Sequence, residues 1–199
     1  DSGNIKPQDI TENIEHARKN TKDILALFLA ISLSSIVYGI LIALIAFKAN
    51  EYIKNEILIS FSSIAQIAAG VCFSRFVPVL GHRIGLTNSI VVASLLSAFC
   101  AIAIYFYFGY FLWILTIFIF GASLFIAGVT RQTIMIDLSS PNNKAMIISL
   151  GGMLVAIGNA FGPIFLNLIK TGDSFYSFLI AAIFYLLAIL PLKGIKKFE

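Results

Sequence analysis

Polar and apolar positions along the chain do not alternate at short range. They segregate into long apolar blocks parted by brief polar breaks. A membrane-crossing helix needs about 20 largely apolar residues. Six blocks meet that length, at 24–47, 57–80, 86–108, 110–136, 145–169 and 175–192. Strands of a membrane barrel would be about ten residues long with strict alternation, which is not the pattern here. The predicted class is an all-α integral membrane protein with six transmembrane helices. Residues 1–23 form a polar lead-in and 193–199 a basic tail, on either side of one transmembrane domain at 24–192. Within the lead-in, Thr11 is a candidate cap and Glu12 and Glu15 stand near the start of a short surface helix over 10–23; an unstructured lead-in is the alternative.

Composition agrees with the pattern. Of 199 residues, 59% are hydrophobic and 12% charged, and the mean hydropathy is +0.94. A soluble domain is closer to half apolar and a quarter charged, so the bilayer is the solvent that suits this chain. The net charge of +4 reads as a positive-inside bias and not as nucleic-acid binding, since no basic stripe with interleaved aromatics exists outside the spans.

Lysine and arginine alone set the orientation. With the first end cytoplasmic, Lys6, Arg18, Lys19, Lys22, Arg83, Lys144, Lys193, Lys196 and Lys197 lie inside. Lys48, Lys54 and Lys170 lie outside, and Arg75 and Arg131 fall within spans. Both termini are therefore expected in the cytoplasm, with a bacterial inner membrane as the expected location.

Several chemistries lack their residues. Cys72 and Cys100 both sit in apolar runs and read as small buried hydrophobes; there is no CxxC, no His/Cys cluster and no expected metal or cofactor. A membrane-embedded enzyme would need a Ser/His pair, an HExxH or paired aspartates in the bilayer. His16 and His82 lie outside the spans, so no catalytic residue is assigned.

The break at 74–87, SRFVPVLGHRIGLT, concentrates arginine, histidine, proline and glycine. It reads as a tight hairpin on the cytoplasmic side, with Gly81 and Gly85 allowing sharp backbone geometry and Pro78 bending the end of span two. Its run Arg83-Ile84-Gly85 resembles the centre of the G-x-x-x-D-R-x-G-R-R loop between helices two and three of the major facilitator superfamily. His82 stands where that family has aspartate, and Leu86 and Thr87 replace its basic pair. A second likeness runs from Asp137 through Pro141 and Lys144 to Gly158-Asn159-Ala160-Phe161-Gly162-Pro163, similar to the family's acid, proline loop, basic residue and G-x-x-x-G-P fifth helix. Ser149, Leu166 and Asn167 depart from the fuller pattern found mainly in antiporters.

The resemblance spans the whole chain and implies one six-helix half, built as two inverted three-helix repeats. The Tyr38-Gly39 pair favours the amino-terminal half; a carboxy-terminal half, with 1–23 ending a central linker, is the alternative. It implies a secondary transporter moving a small solute by alternating access, beside a second six-helix unit that is either a missing half or another copy. It also implies a gating loop of Arg83 and Gly85 with Asp137 as the partner of Arg83. A truncated, non-transporting remnant or a homodimerising six-helix protein is the rival reading.

Ionisable and polar residues inside a membrane are functional candidates by default. Arg131 is the deepest, and either points into a polar cavity or snorkels to the surface. Arg75 is expected to snorkel. Ser34 with Tyr38, Ser62 with Gln66, and Asn159 are the neutral candidates. Since helices one, two, four and five line the family's central path, the resemblance places Tyr38, Gln66 and Asn159 on the solute path; Arg131 is added to that path as an intramembrane charge, because the family's own fourth-helix arginine falls at Ile117 here. Helix-to-helix hydrogen bonding is the alternative role for the neutral ones. No acid lies in the middle of any span. Gly151, Val155, Gly158 and Gly162 recur at spacings of four, three and four, a smooth helix face suited to close packing, with Pro163 adding a bend.

Overall fold

The computed structural model describes residues 7–106, 108–169 and 174–195. Among the described residues seven α-helices follow one another: α1 (Pro7–Tyr52), α2 (Glu56–Phe73), α3 (Phe76–Ile84), α4 (Leu86–Tyr105), α5 (Tyr110–Leu138), α6 (Lys144–Ile169) and α7 (Ser174–Leu187). A short 3₁₀ helix, Leu190–Gly194, closes the described chain. Among the described residues there is no strand. Among the described residues six stretches are long and apolar enough to cross a bilayer, five within α1, α2, α4, α5 and α6 and the sixth, Phe175–Lys193, running from α7 through the 3₁₀ helix. The chain is an all-α integral membrane protein.

Two prolines, Pro78 and Pro191, mark where helices stop. A proline within a helix cannot bond the carbonyl four residues back, and its ring crowds that carbonyl. Span two was expected to run through residue 80 with Pro78 as a bend. Instead α2 ends at Phe73, Ser74 and Arg75 form a turn, and Pro78 sits in the first turn of α3, where its missing N–H has no partner to lose. The hairpin at 74–87 is therefore a nine-residue helix. Arg75 lies outside α2 and is exposed, so it is not a charge within a span. Pro191 acts alike. Span six was expected to reach residue 192, but α7 stops at Leu187, four residues before the proline, which opens the 3₁₀ helix instead.

Two glycines make turns that other residues resist. Gly85 joins α3 to α4 at φ 85°, and Gly109 precedes α5 at φ 106°. At the start of α2, Asn55 Oδ1 accepts from the Ile57 and Leu58 amides at 3.0 and 3.3 Å. The opening of the chain is more regular than either expectation. From Pro7 onward the lead-in is continuous with span one in a 46-residue helix, about 69 Å long and more than twice the ~30 Å hydrocarbon core.

Lys48, expected in the loop after span one, lies inside α1 and is 5% exposed. Its ammonium donates to Glu51 Oε2 at 2.9 Å and stands 5.0 Å from the ring centres of Tyr52 and Tyr105. Cys72 is exposed and Cys100 buried, so only one cysteine is the buried hydrophobe expected.

The helices pack in a recognisable order. α1 and α5 touch at the centre. α6 leans on α1, α2 leans on α5, and α4 and α7 pack against each other, against α5 and α1 respectively. Two apolar clusters fill the interior. One, around Leu41, Leu44, Ile104, Trp113 and Phe178, lies toward the α1–α2 turn. The other, around Leu27, Ile31, Ile90, Ile134 and Leu192, lies toward α3. Between them in sequence depth sit buried Ser34, Ser35, Ser94, Ser97, Ser123 and Thr130, a polar band at the middle of the bundle.

Candidate functional site

That polar band borders a cavity of about 770 Å³, within the 300–1,000 Å³ range of small-molecule sites. All four residues assigned from sequence to the solute path, Tyr38, Gln66, Arg131 and Asn159, line it. They come from α1, α2, α5 and α6. The rim is open, with Ile67 and Val71 of α2 both 72% exposed.

The helix backbones approach closely around this space because the contact residues are small. A methyl added at Gly158 would lie 2.5 Å from Ser35 Cβ, and one at Gly162 would lie 2.5 Å from Gly39 Cα. Gly121 of α5 meets the backbone of Gln66 in the same manner. The glycine face of span five thus packs on α1, except at Gly151, which meets Met135 of α5, and at Val155, which turns to the cavity. Pro163 lies inside α6 and leaves the Asn159 carbonyl without its usual helical donor. That carbonyl rests against Gly39, where an added Cβ would stand 2.6 Å from it.

Most of the small polar groups are satisfied locally. Ser34 and Ser35 donate to the Ala30 and Ile31 carbonyls at 2.8 and 2.7 Å. Ser97 and Ser123 share a buried 2.7 Å hydrogen bond that ties α4 to α5. Ser62 is buried, donates to the Leu58 carbonyl at 3.2 Å, and does not line the cavity. Gln66 Nε2 donates to the Tyr38 hydroxyl at 3.0 Å and so bridges α2 to α1 across the cavity wall.

Three buried polar atoms in the lining have no hydrogen-bond partner among the described residues: Arg131 Nε, Asn159 Oδ1 and the Tyr185 hydroxyl. Buried polar groups are nearly always paired, so an unpartnered trio on one cavity is a marker of ligand or water contact. Arg131 is seven residues from the end of α5, about 10 Å deep at 1.5 Å per residue. No aspartate or glutamate appears among the lining residues.

The sequence reading missed Tyr185 of α7 and Ser94 and Ser97 of α4. These helices stand behind α1 and α5, yet all three residues line the cavity, to which α5 contributes the small Gly121, Ala127 and Gly128 besides its larger side chains. The legible sign was a serine pair three residues apart in an otherwise apolar span. Tyr185 carried no comparable sign.

The expected gate is arranged differently. Arg83 lies in the last turn of α3 and Asp137 in the last turn of α5, both exposed. No ion pair within 4 Å joins them; among the described residues the one such pair is Lys48–Glu51. Gly85 makes the turn between α3 and α4. No group of three or more His, Cys, Asp or Glu with metal-holding geometry occurs among the described residues.

Comparison with protein-family models and with curated proteins finds no match for this chain. The functional reading rests on its residues and their geometry.

Proposed function

We propose that this chain is one six-helix unit of a secondary transporter, resembling a half of the major facilitator superfamily, which binds a small solute in the central cavity. The observation that carries this reading is the mid-depth cavity holding three unpartnered polar atoms, from Arg131, Asn159 and Tyr185. Secondary transporters bind their solute near the bilayer midplane, at the interface of repeated units.

The packing order supports a repeat of α1, α2, α4 by α5, α6, α7. The first helix of each set leans on the second helix of the other, α1 on α6 and α5 on α2, while the third helices meet each other. That exchange is what an inverted repeat produces. The open rim between α2 and α6 supports a second six-helix unit as the other wall. Gly152, Ala156 and Ala160 leave small exposed residues on α6, which lets another helix approach.

In this reading no covalent chemistry occurs. The two units rock about the cavity and open it to either side. Both termini face the cytoplasm of a bacterial inner membrane, with exposed Arg75, Arg83, Lys144 and Lys193 at that end. At the other end Lys48 is already held by Glu51.

The test is flux. The complete native polypeptide, reconstituted in liposomes, should show saturable solute counterflow. No saturable flux or binding for any solute class sinks the transport reading and leaves a non-transporting six-helix protein.

A further inference from the structure

We infer that the solute is a small soluble anion carrying a carboxylate or phosphate group, recognised by Arg131; this rests on the cavity being the solute site. The cavity lining contains one permanent positive charge, Arg131, and no carboxylate to neutralise it. No salt bridge reaches Arg131, and its Nε–H has no acceptor among the described residues. A guanidinium without a counter-ion in a low-dielectric bundle is stabilised by whatever anion enters. Its planar fork of N–H donors also matches carboxylate and phosphate oxygens in shape.

The neighbouring groups are of the matching kind. The Tyr185 hydroxyl is buried, lines the same cavity and has no partner, so its proton is free to donate. Tyr38 accepts from Gln66, and that bond leaves the tyrosine's own hydrogen available. The cavity therefore offers donors from Arg131, Tyr185 and Tyr38. A cation would meet the Arg131 charge with nothing to offset it. A neutral solute would leave that charge unpaired. The unpartnered Asn159 Oδ1 adds one acceptor, suited to a hydroxyl or amide elsewhere on the anion.

An anionic lipid headgroup has the same chemistry and could reach the rim, so the test separates the two sources. The complete native polypeptide is placed in phosphatidylcholine nanodiscs at constant chloride ionic strength. Its thermal unfolding is followed against inorganic phosphate, succinate and gluconate, with glucose and tetramethylammonium as neutral and cationic probes. At least one anion should raise the melting temperature saturably, and the other two classes should not. Arg131→Gln should weaken that response roughly tenfold or more, as loss of a charged hydrogen bond does, while Arg131→Lys keeps part of it. Tyr185→Phe should weaken it less and serves should Arg131→Gln fail to fold. Arg75→Gln, on the surface, should leave it unchanged.

A response to glucose or tetramethylammonium without any anion response overturns the anion assignment and leaves the transporter reading standing. A response only to phosphatidylglycerol in the nanodisc, lost in Arg131→Gln, assigns the charge to a headgroup and overturns the soluble-anion inference. No response to any probe or lipid overturns both.

Discussion

Arg131 and Lys48 are both cations in apolar surroundings, yet their environments divide their roles. Lys48 has a carboxylate at 2.9 Å and two aromatic rings at 5.0 Å, so its charge is consumed by structure. Arg131 has none of these and faces the cavity. Replacing Lys48 by methionine keeps the stem and removes the charge. We expect a loss of about 1 kcal/mol from the lost ring and carboxylate contacts, read by denaturant unfolding in detergent, with solute response intact. Tyr38→Phe removes the acceptor for Gln66. Membrane hydrogen bonds average about 0.6 kcal/mol, so stability should barely move; solute affinity should fall, which titration of the variant would measure. Equal affinity in the variant would make the Tyr38–Gln66 bond a packing contact only. Arg131, Tyr38, Gln66 and Asn159 were legible because a polar residue in an apolar span is conspicuous. Tyr185 was not, because no polar residue stands three or four positions from it, as Ser34 does from Tyr38.

At the scale of elements, glycine sets approach distance and proline sets length. Gly162→Ala forces a methyl to within 2.5 Å of the Gly39 backbone, which no side-chain rotation relieves. The α1–α6 contact should open at a cost of about 1–3 kcal/mol. Val92→Ala, on an exposed face of α4, should cost under about 0.5 kcal/mol. Comparable unfolding midpoints for the two variants would show that α1 and α6 are not held by this crossing. Helix existence was readable from length and hydropathy alone. Helix ends at 73 and 187 were not, because hydropathy continues smoothly past both. The backbone instead obeys Pro78 and Pro191, each four or five residues further on. Arg83 and Asp137 both stand exposed, in the last turns of α3 and α5, with no ion pair within 4 Å between them.

Across the whole molecule, the apolar surface is uneven. Of α2, only Ser62, Ala69 and Gly70 are buried, whereas α4 at the back is far more enclosed. If a second unit covers the rim, nitroxide labels at Ile67 and Ala156 in the complete native polypeptide should be shielded from oxygen dissolved in the bilayer. A label at Phe99, 68% exposed on α4, should be accessible. Equal accessibility at all three positions would mean that the six helices stand alone in lipid. Taken by itself, the sequence determined the class, the number of spans and the charge bias between the two ends. These are one-dimensional quantities, because each helix crosses the bilayer for the sake of its own hydropathy and satisfies its own backbone bonds. Only the tertiary structure decided which polar residues meet. Arg131, Asn159 and Tyr185 stand on three successive helices, 28 and 26 residues apart along the chain, and share a cavity because α1 crosses α6 at glycines and α2 meets α5 at Gly121. That convergence depends on how close the backbones come, and no periodicity along a single helix encodes it.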